Sequence, residues 1–323
     1  MTFDPEAPAA VRFGNRGQVQ DRPEETVPTG TWAIVLVLLL AFAVFVGSLG
    51  YEFVWDDVLV LQSPMLRDLR NLPHFLREDF ATLTSGLIEG PYYRPTLAAS
   101  LALDSTLWGL RPAFFHLTNV LLHLVVVFLV ARLAAAMGAG RSVAVLAALI
   151  FALHPVHVEV VVYIVARNDL LMSLGVLGCL LAYRRSKMPG LRGTGWSVLA
   201  LGAQVFALLS KELAVILPPL LLLSDVLPCA AGRATDHVTW RRALVRSVPS
   251  WVVTAMFVAY RLPVLPQLGE QNLQAGSLLH RLPGALEILA RYILLILAPI
   301  HMQPIYDLPR PSSIVAPWPA LGA

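Results

Sequence analysis

Eight apolar runs, at 32–49, 113–136, 142–153, 169–183, 196–210, 213–227, 249–263 and 284–300, leave this chain few ways to fold. A helix needs about 20 apolar residues to cross a bilayer, because in lipid every backbone N–H and C=O has to be bonded within its own segment. Several of the runs are shorter, and 142–153 is expected to continue or tilt past its charge-free part. The pattern predicts an all-α, polytopic transmembrane helical bundle of about eight spans. Composition agrees, since only 14% of the 323 residues are charged and the mean hydropathy is +0.67, against roughly 25% charged residues in a soluble domain. The first run follows thirty mostly polar residues that carry five carboxylates, which is not the basic leader of a cleaved signal peptide. It reads as a retained first span behind a disordered cytoplasmic tail, 1–30.

The net charge of +3 does not point to nucleic acid, because the basic residues fall in short loops between the apolar runs and not on one face. They serve better as orientation signals. With the N-terminus inside, the cytoplasmic loops hold ten, Arg132, Arg141, Arg184, Arg185, Lys187, Arg192, Arg233, Arg241, Arg242 and Arg246. The short outer loops then hold four, Arg167, Lys211, Arg261 and Arg281. This bias predicts a cytoplasmic N-terminus. The segment 50–112 becomes a large first outer loop, long enough to be exempt from the rule. Within it Leu66, Leu69, Leu72, Leu76 and Phe80 recur at helical spacing and predict a helix lying in the interface, while 95–110, opening with Pro95, predicts a second. Cys179 and Cys229 give no disulfide framework and no metal-ligand spacing.

Four constellations carry chemistry. Phe53-Val54-Trp55-Asp56-Asp57 places two adjacent carboxylates among aromatics just beyond the first span. Desolvation and like charge raise the pKa of such a pair, which suits a general base, and the alternative is a solvated turn. His154-Pro155-Val156-His157-Val158-Glu159, followed by Arg167-Asn168-Asp169, sets two imidazoles, a carboxylate and a guanidinium at one membrane face, with Pro155 ending the third span. His154, His157 and Glu159 are a weak metal signal, and loop-to-helix hydrogen bonding is the stronger alternative. Ser210-Lys211-Glu212 puts a charged pair between two apolar runs, either functional or snorkelling from a tight turn. Tyr92-Tyr93-Arg94-Pro95 offers a guanidinium fork at headgroup level, matched to phosphate, or an ordinary interfacial anchor. His116, Asn119 and His123 share a face of the second span, where helix-to-helix hydrogen bonds are expected. The predicted orientation gathers the four constellations on the outer side, where carboxylates beside several cations describe a site for a lipid-linked phosphate donor.

The ordered set Phe53-Val-Trp-Asp-Asp57, Tyr93-Arg-Pro95, Phe115-His-Leu-Thr-Asn119, His154-Pro-Val-His-Val-Glu159, Arg167-Asn-Asp169, Ser210-Lys-Glu212 and Arg291-Tyr-Ile-Leu-Leu295 resembles the tetratricopeptide-bearing O-mannosyltransferase-like membrane proteins. These are polytopic glycosyltransferases that use polyprenyl-phosphate sugars. The similarity runs from about residue 32 to 307, which implies a membrane glycosyltransferase domain over 31–307, a tail or the start of a further span over 308–323, and a short form lacking the repeats. It implies that Asp56, with Asp57 beside it, is the base.

The expected function is transfer of a sugar, mannose by the resemblance, from a polyprenyl-phosphate carrier to an acceptor hydroxyl of a protein, glycan or lipid on the outer side. Arg94, Arg167 and Lys211 are expected to bind the donor phosphate, and His154, His157, Glu159, Asp169 and Glu212 to shape the pocket. No metal is required, and a divalent ion is compatible with the arrangement. The partners are the lipid-linked sugar, the acceptor and membrane lipid. One competing class is a transporter relaying protons through Lys211, Glu212 and the histidines, although the inverted repeats common in transporters are not visible. The other is a non-catalytic partner subunit. Cysteines placed singly at 57, 157 and 211 are expected to react with a membrane-impermeant maleimide only from the side opposite the N-terminus, and one at 307 reports the direction of the last span. Cytoplasmic labelling of the first three would dismantle the site.

Overall fold

The computed structural model describes residues 29–88, 90, 92–226, 239–261, 278–300 and 302. The tail 1–30, except its last two residues, the segment 308–323, Cys229 and Arg233 lie outside them. Every regular element among the described residues is helical. In chain order α1 (Thr29–Phe45) tightens into a 3-10 turn, Val46–Gly50, and leads to α2 (Asp56–Gln62). Two 3-10 turns, Pro64–Arg67 and Leu69–Asn71, precede α3 (Leu72–Phe75), α4 (Phe80–Leu83) and α5 (Pro95–Trp108). Then follow α6 (Pro112–Ala136), α7 (Arg141–Leu153), α8 (Val158–Val162), α9 (Arg167–Arg185), α10 (Leu191–Ser210), α11 (Leu217–Val226), α12 (Trp240–Arg261) and α13 (Leu278–Leu297).

Among the described residues four helical stretches, Trp32–Gly50, α6, α10 and α12, are long and apolar enough to cross a bilayer. A fifth counts if α7 and the stretch Pro155–Val162 form one span, bent by 52°. The bend has a local cause: Pro155 has no N–H to donate, so the helix ends at Leu153 and restarts in a new direction. The other expected spans fall on α9, α11 and α13. Charges at both ends of α9 (Arg167, Asp169, Arg184, Arg185) shorten its apolar part, α11 has only ten residues, and α13 carries Glu287 and Arg291 along its length.

Small residues set the packing. Val37 and Ala41 of α1 meet Val127 and Ala131 of α6 and Ala148 and Ala152 of α7 in one buried cluster. With little hydrophobic drive between helices in lipid, such close approach supplies the van der Waals attraction. The tightest seam joins α9 to α10, where a Cβ on Gly175 would stand 2.8 Å from the Ala207 Cβ and 2.9 Å from the Ala203 carbonyl oxygen.

The segment between the first two spans differs from the expected single interfacial helix. Pro64 and Pro73 open new turns, and the Asp68 and Asp79 carboxylates cap others by accepting the Arg70 and Thr82 N–H at 2.8 Å each. The periodic apolar residues divide accordingly. Leu66 and Phe80 are buried, with Phe75 and Leu83, against Leu97 and Leu101 of α5 and Leu69 is partly buried there, whereas Leu72 and Leu76 stay exposed. The result is a compact helical cap with its own core. The second expected helix is present as α5, with Pro95 in its first turn.

Gly175→Ala is expected to lower the thermal unfolding temperature of the purified protein, because overpacking of about 1–3 kcal/mol outweighs the roughly 1 kcal/mol of helix propensity gained. An unchanged or raised midpoint would show that the seam yields at no cost.

Candidate functional site

The acidic pair is split by backbone geometry. Trp55, at φ 48 and ψ −125, occupies a region that L-residues rarely adopt, which costs about 1–3 kcal/mol and is held by its surroundings. Its indole packs edge-on to Tyr163, with centroids 5.9 Å apart. The turn it makes starts α2 with Asp56 exposed and Asp57 fully buried, so a cysteine at 57 is shielded and position 56 is the one at this turn that an impermeant reagent reaches. Asp57 Oδ1 accepts the Val165 N–H at 2.9 Å and Oδ2 that of Ile164 at 3.4 Å. Burial pushes the Asp57 carboxyl up to about 6, against the lowering effect of these bonds. Burial, with the Asp56 carboxylate acting on it, holds the Tyr163 phenol above its usual range, so its hydroxyl stays protonated beside Asp56.

Arg167 corrects the expectation that it binds a donor phosphate. Its side chain is fully buried, and each of its three nitrogens is engaged. Nε donates to Asn119 Oδ1 at 2.6 Å, Nη1 is ion-paired with Asp104 Oδ2 at 2.7 Å and donates to Ser100 Oγ at 2.9 Å, and Nη2 donates to the Phe115 carbonyl at 2.9 Å. A guanidinium so committed has no fork left for a ligand. Asp104, lone carboxylate of an apolar run, and Asn119 are the residues sequence reasoning did not pair with it.

The remaining charged residues meet where α5, α9, α10 and α12 end or begin. Lys211 Nζ reaches both Asp169 oxygens, at 2.6 and 2.8 Å, and both side chains are partly exposed. Thr96 Oγ1, the second residue of α5, donates to Ser210 Oγ at 2.8 Å, which joins the start of α5, after Arg94, to the end of α10, before Lys211. The Arg94 guanidinium lies 4.5 Å above the Tyr92 ring, and its buried Nε has no partner among the described residues. Tyr93 donates to the Leu76 carbonyl at 2.9 Å and packs against Tyr260, with Arg261 5.1 Å over its ring. The α12 terminus thus joins this end, a contribution legible beforehand only as a loop charge. Burial raises the Tyr93 hydroxyl to about 12.

The histidines form a separate group below this rim. His157 lies against Phe151 (4.2 Å), His123 (5.7 Å) and His154 (6.2 Å). His154 Nδ1 accepts the Val156 N–H at 3.2 Å, so the ring proton is on Nε2, which donates to the Ile296 carbonyl at 2.9 Å. Both nitrogens are therefore used structurally, and this bond brings the C-terminal end of α13 beside the α7 break. No three His, Cys, Asp or Glu side chains among the described residues are arranged to hold a metal ion. Glu159 and Glu212 are exposed. Between α6, α9 and α10 lies an apolar groove of about 430 Å3, lined by Val125, Leu129, Gly178, Gly202 and Phe206.

Over 202 residues the chain is 33% identical to the protein O-mannosyl-transferase Tmtc1 of Drosophila melanogaster, a match that covers 62% of this chain. The human protein O-mannosyl-transferase TMTC3 is 34% identical over 158 residues, or 48% of this chain, and human TMTC4 30% over 202, or 56%. Over these stretches the chain is similar to the protein O-mannosyl-transferases. The three matches span 23%, 17% and 27% of those O-mannosyl-transferases' own lengths, so the chain corresponds to about a quarter of them or less. No family model matches the chain, and no solved structure matches it.

Because Asp57 holds its proton more readily when folded than its ordinary value of 3.8 allows, its contribution to stability is greatest below about pH 4 and falls as pH rises to about 6. The full span is roughly 3 kcal/mol. The difference in unfolding temperature between wild type and Asp57→Asn, followed from pH 4 to 7, should therefore shrink or reverse against wild type as pH rises. A pH-independent difference would remove the buried titration.

Proposed function

We propose that the chain transfers mannose from a polyprenyl-phosphate carrier to a hydroxyl of a protein acceptor, on the side of the membrane opposite the N-terminus. The observation that carries this is the division of the acidic pair. Asp57 is spent on backbone N–H groups, whereas Asp56 is exposed, positioned by the strained Trp55 turn, and acts on the Tyr163 hydroxyl, which stays protonated. A carboxylate held this way is placed to accept a proton from an incoming hydroxyl.

Asp56 takes the proton as the acceptor oxygen forms its bond to the anomeric carbon, and the bond from that carbon to the phosphate oxygen breaks. The polyprenyl phosphate leaves with the electron pair. Arg94 and Lys211 face the charge that gathers on it, and Asp169 keeps the Lys211 ammonium in place. The groove between α6, α9 and α10 is of the right character for the start of the lipid chain, since its lining is apolar. Glu159 and Glu212, both exposed, border the acceptor side of the pocket. The names of the relatives support mannose and a protein acceptor.

Purified protein in lipid vesicles, given radiolabelled polyprenyl-phosphate mannose and a serine- and threonine-rich peptide, is expected to label the peptide. Asp56→Asn should slow labelling by about 10²–10⁴-fold, the usual worth of a general base, without moving the unfolding temperature. Equal turnover in both proteins would take the role from Asp56, and no transfer from any lipid-linked sugar would overturn the enzymatic assignment.

A further inference from the structure

The other end of the bundle holds a second concentration of polar groups, which the proposed reaction does not use. A cavity of about 280 Å3 opens there between α9, α10, α11 and α12. Lys187 and Arg246 stand at its exposed mouth, and Gln204 and Ser250 at its buried floor.

The floor is incompletely bonded. Gln204, with no exposed surface, donates through Nε2 to the Ser250 carbonyl and to Thr254 Oγ1, both at 2.9 Å. A carbonyl only accepts, so the amide cannot be turned round. Its Oε1 is left without a partner among the described residues, as is the hydroxyl of Ser250, which is 2% exposed. Buried polar atoms are ordinarily bonded, and the Gln204 oxygen specifically needs a donor such as a hydroxyl group.

The mouth needs the opposite. Lys187 is ion-paired with Asp225, whose other oxygen accepts the Tyr183 hydroxyl at 2.8 Å. Arg246 has no ion-pair partner among the described residues and lies within electrostatic reach of Tyr183. Two cations against one carboxylate leave one positive charge to be matched. Arg246 and Ser250 are one helical turn apart, about 6 Å along the axis, which is the reach of a glycerol from its phosphate.

We propose that this cavity binds a hydroxyl-bearing phosphate headgroup, with the phosphate at Arg246 and Lys187 and the hydroxyls on Gln204 Oε1 and Ser250 Oγ. Its lipid source is a glycerol-headed anionic phospholipid of the adjacent leaflet, and its soluble source is free glycerol phosphate. The assignment does not depend on the transfer reaction.

The test is native mass spectrometry of the purified chain with phosphatidylglycerol or phosphatidylcholine. Phosphatidylglycerol should be retained by wild type about tenfold better than phosphatidylcholine, and about tenfold less by Arg246→Gln, the worth of a charged hydrogen bond. Ser250→Ala, which removes only an unpaired hydroxyl, should weaken retention severalfold with an unchanged unfolding temperature, and Arg192→Gln, exposed at the same end, should leave it unaltered. Displacement by millimolar glycerol phosphate would support the soluble source, and resistance to it the lipid. Equal retention of the two lipids, or equal phosphatidylglycerol retention by wild type, Arg246→Gln and Ser250→Ala, would show a cavity holding solvent only and overturn the proposal.

Discussion

The buried guanidinium of Arg167 is the interaction on which the arrangement of the Asp56 end depends. From the start of α9 it reaches Ser100 and Asp104 on α5 and Asn119 and the Phe115 carbonyl on α6. Taking such a charge out of water costs several kcal/mol unless a counter-ion and hydrogen bonds replace the lost hydration, and Asp104 with four further acceptors does so. Asn119 extends the network by donating to the carbonyls of Val161 and Tyr163. Asp57 takes the N–H groups of Ile164 and Val165. The irregular stretch between α8 and α9 is thereby bonded through side chains, the condition under which non-helical backbone is tolerated near a bilayer.

That network also decides where unmatched charge remains. Arg167 is balanced by Asp104, and Lys211 by Asp169. Arg94 forms no ion pair among the described residues and lies on the Tyr92 ring, whose π-face does not cancel its charge. Under the proposed function, the leaving phosphate is drawn to this end mainly by Arg94, and Lys211 contributes direction more than net charge. Aromatic support suits this role, because a stacked guanidinium keeps its edge free for planar, bidentate contact with phosphate oxygens.

Much of the fold was legible in the sequence because its signals were local. Pro155 placed the α7 break, Pro95 the start of α5, and length with hydropathy placed the spans at α1, α6, α10 and α12. Other features were not local. Periodicity over 66–80 suggested one interfacial helix, but Asp68 and Asp79 served as caps and cut it into turns. Nothing in Arg167-Asn168-Asp169 states that the arginine turns inward while the aspartate takes Lys211, because both choices hang on Asp104, over sixty residues earlier in the chain. Adjacent carboxylates at 56 and 57 look equivalent in sequence. A turn through the rarely populated region at Trp55 makes one of them solvent-facing and the other part of the core.

The helix pair α9 and α10 shows how a run that reads as uniformly apolar can carry two opposed surfaces. On α10, Leu199, Gly202, Ala203 and Phe206 line the apolar groove, whereas Ser197, Ala200, Leu201 and Gln204 line the polar cavity. Both sets follow the spacing i, i+3, i+4, i+7 and are offset by two residues, about 200° around the helix. On α9 the same division sets Leu174, Gly175 and Gly178 against Cys179 and Tyr183. Hydropathy averaged over a window cannot separate such faces, since on α10 alanine and leucine occur on both and the polar face contributes only Ser197 and Gln204. A glutamine on a bilayer-depth helix is costly when it faces lipid, so its position on the face turned toward α12 is the arrangement the solvent permits. The close seam at Gly175 then holds the two helices at a fixed spacing, with the groove and the cavity both part of one rigid unit.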